Sequence, residues 1–271
     1  MLPPYKETYM QCNEVTQNGG TPEGDNTVGK ILFLTPLRRC FLLYNLDVDY
    51  FKNIDTEDKA YWLGFLYADG CVTQNKKSLH INLAPVDIEH LKKFIKCIQS
   101  NHVVKYRDNN RYVSLIICNK QFVNNLVDKG CVPAKSLILK FPSKDIVPDY
   151  LIRHFIRGYF DGDGCYSAIM RKCANKPNPI FMGEIKFLGT YDMMEHISQE
   201  LPCGNVDVSK DGAIYKIRYH KKELLRAILS YMYDDSIIYL DRKYQKYLDN
   251  KDNLIDKRKV KNNIPVTTTV V

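Results

Sequence analysis

The stretch Phe155-Ile156-Arg157-Gly158-Tyr159-Phe160-Asp161-Gly162-Asp163-Gly164-Cys165 has a partner earlier in the chain, Tyr61-Trp62-Leu63-Gly64-Phe65-Leu66-Tyr67-Ala68-Asp69-Gly70-Cys71. The two align without a gap: Gly64 with Gly158, Asp69 with Asp163, Gly70 with Gly164 and Cys71 with Cys165. Gly64 and Ala68 stand four residues apart, as do Gly158 and Gly162, so on a helix each pair shares one face. Small residues stacked on a face let two helix backbones approach closely. Helices packed through Gly64, Ala68, Gly158 and Gly162 would bring Asp69 and Asp163 side by side at their C-terminal ends. Two carboxylates there repel each other and face the negative ends of two helix dipoles, which bound divalent cations would relieve. Hard oxygen ligands of this kind suit Mg²⁺. Gly70 and Gly164 are expected to give each helix a left-handed stop. A single Gly-Asp-Gly is read equally well as a helix stop before a turn. The doubling of face, acid and glycine argues against that reading here.

The repetition continues outward. Leu79-His80-Ile81-Asn82-Leu83 alternates apolar and polar, as a half-buried strand does. It is followed by an amphipathic helix from Asp87, expected as its cap. Ile185 to Leu188 and Asp192 to Ile197 repeat this order. Strand-like runs follow at Val103–Arg107 and Tyr112–Cys118, then Val206–Ser209 and Ile214–His220, and each copy closes in a helix, Lys120–Asp128 and Lys221–Tyr231. The expected fold is α+β, two pseudosymmetric αββαββα subdomains with antiparallel sheets. Their expected spans are 51–147 and 148–250, with Asp149 capping the second motif helix. Residues 1–50 are expected to be a partly disordered extension, with a short helix within 31–45, and 251–271 a basic tail.

Of 271 residues, 45% are hydrophobic and 26% charged, ordinary for a folded domain, but the net charge of +8 points to a polyanionic partner. The nine cysteines are odd in number and none has C-x-x-C spacing, which argues against a zinc ribbon and a disulfide framework. Met1 to Gly24 is polar, without the apolar core of a secretion signal, and no run is long enough to span a membrane, so an intracellular protein of cytoplasm or organelle matrix is expected.

With both segments in view, the chain resembles the LAGLIDADG, or dodecapeptide, homing endonucleases in their single-chain form with two motifs. The first motif, Trp62 to Gly70, departs at its sixth position, where Tyr67 replaces the usual acid; the second keeps Asp161 there and has Arg157 at its second position. The resemblance covers roughly residues 50 to 250. It implies a DNA saddle with the active site beneath the paired helices, Asp69 and Asp163 as metal-binding catalytic acids, and backbone carbonyls of Ala68 and Gly162 among the other ligands. It further implies a lysine near the end of each copy, matched by Lys135 and Lys243. For either lysine a solvated charge or a phosphate anchor is the competing reading.

The polar sides of the strands are the expected DNA-reading surface: His80, Asn82, Lys105, Arg107 and Ser114 in the first copy, and Glu184, Lys186, Lys216, Arg218 and His220 in the second. Long polar side chains on a ribbon fit the major groove, where base edges are distinguishable. Residues 210–261 hold 14 Lys/Arg against 8 Asp/Glu, which suits phosphate contacts. The expected function is a site-specific cut of both strands of a long DNA site, by a chain that needs no dimer. An intron RNA maturase that binds its host RNA, or a non-catalytic DNA-binding protein, remains open. An intein is not expected, since the chain starts at Met1 and ends Thr269-Val270-Val271 rather than in His-Asn.

Overall fold

A computed structural model of the protein describes residues 45–174, 177–204 and 206–255. Most of the expected extension, the expected helix within 31–45 save its last residue, and the tail beyond 255 lie outside the described residues. The first repeat runs α1 (Glu57–Asp69), β1 (Gly70–Val72), β2 (Leu79–Leu83), α2 (Ile88–Cys97), β3 (Lys105–Arg107), β4 (Tyr112–Ile117) and α3 (Lys120–Asp128). The second runs α4 (Ile152–Asp163), β5 (Cys165–Arg171), β6 (Ile180–Gly189), α5 (Tyr191–Glu200), β7 (Ser209–Asp211), β8 (Ile214–Tyr219) and α6 (Lys222–Tyr233), then adds α7 (Asp241–Asn250). The chain is α+β, with the expected element order twice over. Each repeat holds one antiparallel sheet, ordered β1-β2-β4-β3 and β5-β6-β8-β7.

The period-two pattern fixes which side of each sheet is inward. Leu79, Ile81 and Leu83 of β2 and Val113, Leu115 and Ile117 of β4 are buried in one core with Leu91 and Phe94 of α2 and Phe122 and Leu126 of α3. Ile185, Phe187, Ile217 and Tyr219 do the same with Met193, Met194, Leu225 and Ile228. Burial of one such side chain contributes about 1.5–3 kcal/mol. A one-residue slip would turn a whole inward row to solvent, so the register is strongly specified.

The motif helices α1 and α4 lie in the middle. Every residue from Ala60 to Tyr67 is buried, as are Phe155 to Asp161. They pack on each other through their small residues. A Cβ built on Gly64 would strike the Phe155 carbonyl and lie 3.0 Å from Tyr159 N; one on Gly158 would strike the Tyr61 carbonyl and lie 2.9 Å from Phe65 N. The joint is therefore backbone on backbone.

Several local expectations differ. Gly70 and Gly164 are extended (φ −76°, ψ 134° and φ −80°, ψ 160°), not left-handed, because each helix passes straight into a strand without reversing. Glycine is needed there for room: a Cβ would fall 2.6 Å from the carbonyl oxygen of Leu66 or Phe160. Asp87 stands at the cap position of α2 but makes no cap bond; both its carboxylate oxygens accept from Arg242 Nε at 3.0 Å. Asp149 opens a 3₁₀ turn ahead of α4 and pairs with Lys144 at 3.0 Å instead of capping the helix. Val103, Val104 and Val206 precede the edge strands they were expected to join, leaving β3 and β7 three residues each.

Candidate active site and nucleic-acid face

Asp69 ends α1 and Asp163 ends α4. The tight helix joint carries the two ends together. A Cβ on Gly162 would run into Ala68 and lie 3.3 Å from Asp69 Oδ2, so the Asp69 carboxylate leans on the neighbouring motif helix. Desolvation first, then the charge of Asp163, pushes the Asp69 carboxyl up to about 7, against the pull of Lys243, Lys135 and Arg242. Asp163 meets solvent at its outer edge. Crowding by protein still raises its carboxyl, with Lys135 and Lys243 opposing.

Lys135 and Lys243 are both buried, 8% and 7% exposed, so neither is a solvated surface charge. Each ammonium stands on the C-terminal carbonyls of its own motif helix. Lys135 Nζ donates to Gly70 O and, at 3.3 Å, to Ala68 O. Lys243 Nζ donates to Phe160 O and Gly164 O, both at 2.6 Å. A cation at a helix C-terminus is favoured by the helix dipole and supplies donors to orphan carbonyls. Burial lowers the pKa of Lys243 from its ordinary value, opposed chiefly by Asp161.

Sequence reading assigned no role to Asp161. It is 1% exposed and its carboxylate accepts from Tyr61 Oη at 2.7 Å, Tyr233 Oη at 2.6 Å and Leu240 N at 2.7 Å. The available signal was spacing: positions two apart on a helix point about 200° apart, so Asp161 and Asp163 could not share a site. Arg157 is fully buried and joins α1, α4 and α6, donating to Glu57 Oε1 at 2.7 Å and to the carbonyls of Met232 and Ile238 at 2.9 Å. Arg242, also unforeseen, ties Asp87 of the first repeat to α7 of the second and adds positive charge near Asp69.

The outward rows of the sheets hold most of the expected groove-reading side chains. Asn82, Lys105 and Arg107 are exposed and His80 is half-buried, accepting or donating at 3.0 Å with Ser78 Oγ. Ser114 lies on this row by register, opposite Asn82 and Lys105, but at 6% exposure it is sunk between longer neighbours and does not project. In the second sheet Lys186 stands directly opposite Arg218, and Glu184 lies 3.5 Å from His220. Lys216 pairs with Asp211 at 3.2 Å. Like charges opposite each other across strands destabilise a sheet, and an anion laid over Lys186 and Arg218 would relieve this.

Among the described residues no three His, Cys, Asp or Glu are gathered. A cation here would rest on the two carboxylates, main-chain carbonyls and solvent. Two crowded, like-charged carboxylates are a hard-oxygen donor set that fits a divalent cation such as Mg²⁺.

Residues 156–254 match the family model described as LAGLIDADG endonuclease. The match falls within the second repeat, from α4 to just past α7. No curated protein matches the chain in sequence. Among solved structures, a double lysine-to-alanine mutant of the LAGLIDADG homing endonuclease I-SmaMI superposes with a TM-score of 0.53 at 14% identity, covering 76% of this chain and 98% of that one. I-SmaMI bound to cleaved DNA gives 0.50 at 15% identity, covering 77% and 95%. At these identities the likeness is one of fold, and it spans both repeats. The first repeat is built on the same plan as the second, with α1 and α4 in equivalent places. No helix among the described residues is long and apolar enough to cross a membrane.

Proposed function

We propose that this chain is a site-specific homing endonuclease that makes a double-strand break in a long DNA target by metal-dependent phosphodiester hydrolysis. One observation carries the reading: Asp69 and Asp163 meet at the ends of α1 and α4, each with a buried lysine, Lys135 or Lys243, behind it. Asp69, Asp163 and the carbonyls of Ala68 and Gly162 would hold Mg²⁺. The ion would supply an activated water and charge stabilisation at the leaving oxygen. The lysines fix the helix ends on which the acids sit and place positive charge where phosphate charge would accumulate. The outward rows of the two sheets, from His80 to Arg107 and from Glu184 to His220, would straddle the duplex as a saddle. The I-SmaMI structure with cleaved DNA supports this reading by its shared fold. Both acids lie in one chain, so a monomer within the cell suffices.

The test is cleavage of a randomised double-stranded DNA library with Mg²⁺ by wild type and Asp163→Asn. Recovery of one long cut site by the wild type alone is the expected result. RNA or DNA binding without cutting would replace this reading with the maturase or regulator one.

A further inference from the structure

We infer that the residue two positions before each motif aspartate, Tyr67 in the first repeat and Asp161 in the second, is a positioning residue that anchors the segment delivering the buried lysine. The lysines' place in the reaction rests on the proposed nuclease reading; the anchoring itself does not.

In the second repeat the chain of contacts is short. Asp161 Oδ2 accepts from Leu240 N at 2.7 Å. Leu240 is the cap residue of α7, and its carbonyl accepts from Lys243 N at 3.0 Å and Tyr244 N at 3.1 Å. The carboxylate therefore pins the first turn of the helix that carries Lys243 under α4. Tyr61 and Tyr233 donate to the same carboxylate and hold it in place.

In the first repeat no acid stands at this position, yet the geometry repeats. Tyr67, 2% exposed, donates its hydroxyl to Lys129 O. The next residue, Gly130, has φ +97°, and a Cβ there would run into Tyr67 Oη. Cys131 follows with its Sγ 3.4 Å from Leu66 O, and the segment then turns through Ala134, at φ 50°, into Lys135. Both repeats thus tie the lysine's segment to the motif helix at the same motif position. The chemistry is inverted to suit what each segment offers: a main-chain N–H meets a carboxylate, and a main-chain carbonyl meets a phenol. This gives the departure from the motif at Tyr67 a physical reason. A carboxylate at 67 would face a carbonyl and find no donor.

The experiment uses the full chain and three proteins: wild type, Tyr67→Phe and Asp161→Asn. Tyr67→Phe removes one hydroxyl without changing shape, so it carries the test if Asp161→Asn does not fold. Amide hydrogen exchange is measured first, without metal. Tyr67→Phe is expected to speed exchange across 130–137 by about tenfold or more while leaving 240–244 as in wild type, and Asp161→Asn to do the reverse. Unchanged exchange at the lysine segments overturns the anchoring. Single-turnover cleavage of the recovered target and its Kd are measured next. The variants are expected to accumulate nicked DNA and to slow the affected strand about tenfold at unchanged Kd. Wild-type rates for both strands, in a variant whose lysine segment exchanges faster, would overturn the positioning role. A wild type that does not cut sinks the nuclease reading instead, and the exchange data still decide the anchoring.

Discussion

At Asp69 the fold works against ionisation. The carboxyl sits near 7 in the folded chain against an ordinary value of 3.8. Folding favours the protonated form, so this contribution to stability is complete below about pH 4 and lost as pH rises through about 7. Asp69→Asn removes the ionisation. We expect its metal-free unfolding free energy to match wild type near pH 4 and to exceed it above pH 7, by on the order of 2 kcal/mol after allowing for solvent screening. Parallel curves for the two proteins would contradict the crowding of Asp69 by protein and by Asp163. In the presence of Mg²⁺, Asp69→Asn or Asp163→Asn is expected to abolish double-strand cutting while leaving DNA binding largely intact; a gel shift weakened as much as cutting would remove both from the metal. The two acids were legible because one spacing occurs twice in the sequence. Asp161 was not, since its partners Tyr61, Tyr233 and Leu240 come from three distant parts of the chain. For the lysines, the family resemblance supplied the positions but not the burial, because the carbonyls that receive them belong to remote helix ends.

Among the elements, the motif helices carry the sharpest expectation. Gly158→Leu or Gly64→Leu must push main chain off main chain, which exceeds the ~1–3 kcal/mol of ordinary overpacking. For a protein of this size each kcal/mol lowers the melting temperature by about 2–4 °C. An unchanged melting temperature would refute the backbone joint. Helix faces and inward strand rows could be read from period alone, since burial is what the period encodes. Cap residues could not: Asp87 and Asp149 have cap chemistry, but Arg242 and Lys144 compete for their carboxylates. α7 escaped notice because its buried side is narrow, limited to Lys243 and Tyr247.

For the whole molecule, DNA affinity should fall with salt, and each phosphate-contacting cation removed should reduce the log–log slope by about 0.9. Arg218→Ala and Lys186→Ala are expected to weaken binding to the recovered target and, where the residue reads a base, to relax selectivity at that position alone. A slope and a selectivity both unchanged would take the second sheet out of the interface. At equivalent register positions the two outward rows differ: His80 faces Cys71 where Lys186 faces Cys165, and Lys105 faces Ser114 where Ser209 faces Lys216. On the proposed function, the DNA site that such a pair would read has no reason to be a palindrome.

The joint between the repeats gives that asymmetry its licence. Where two helices touch through carbonyls and amides at Gly64 and Gly158, the contact hardly depends on what the remaining side chains are. Beyond it, a few side-chain links such as Glu57–Arg157, Tyr61–Asp161 and Asp87–Arg242 must be kept in common. Everything on the far side of each sheet is free to drift by itself. On the proposed function the two sheets would be two readers sharing a spine, and a half taken from another chain that keeps the spine and its few links could be spliced in to read a new hybrid site.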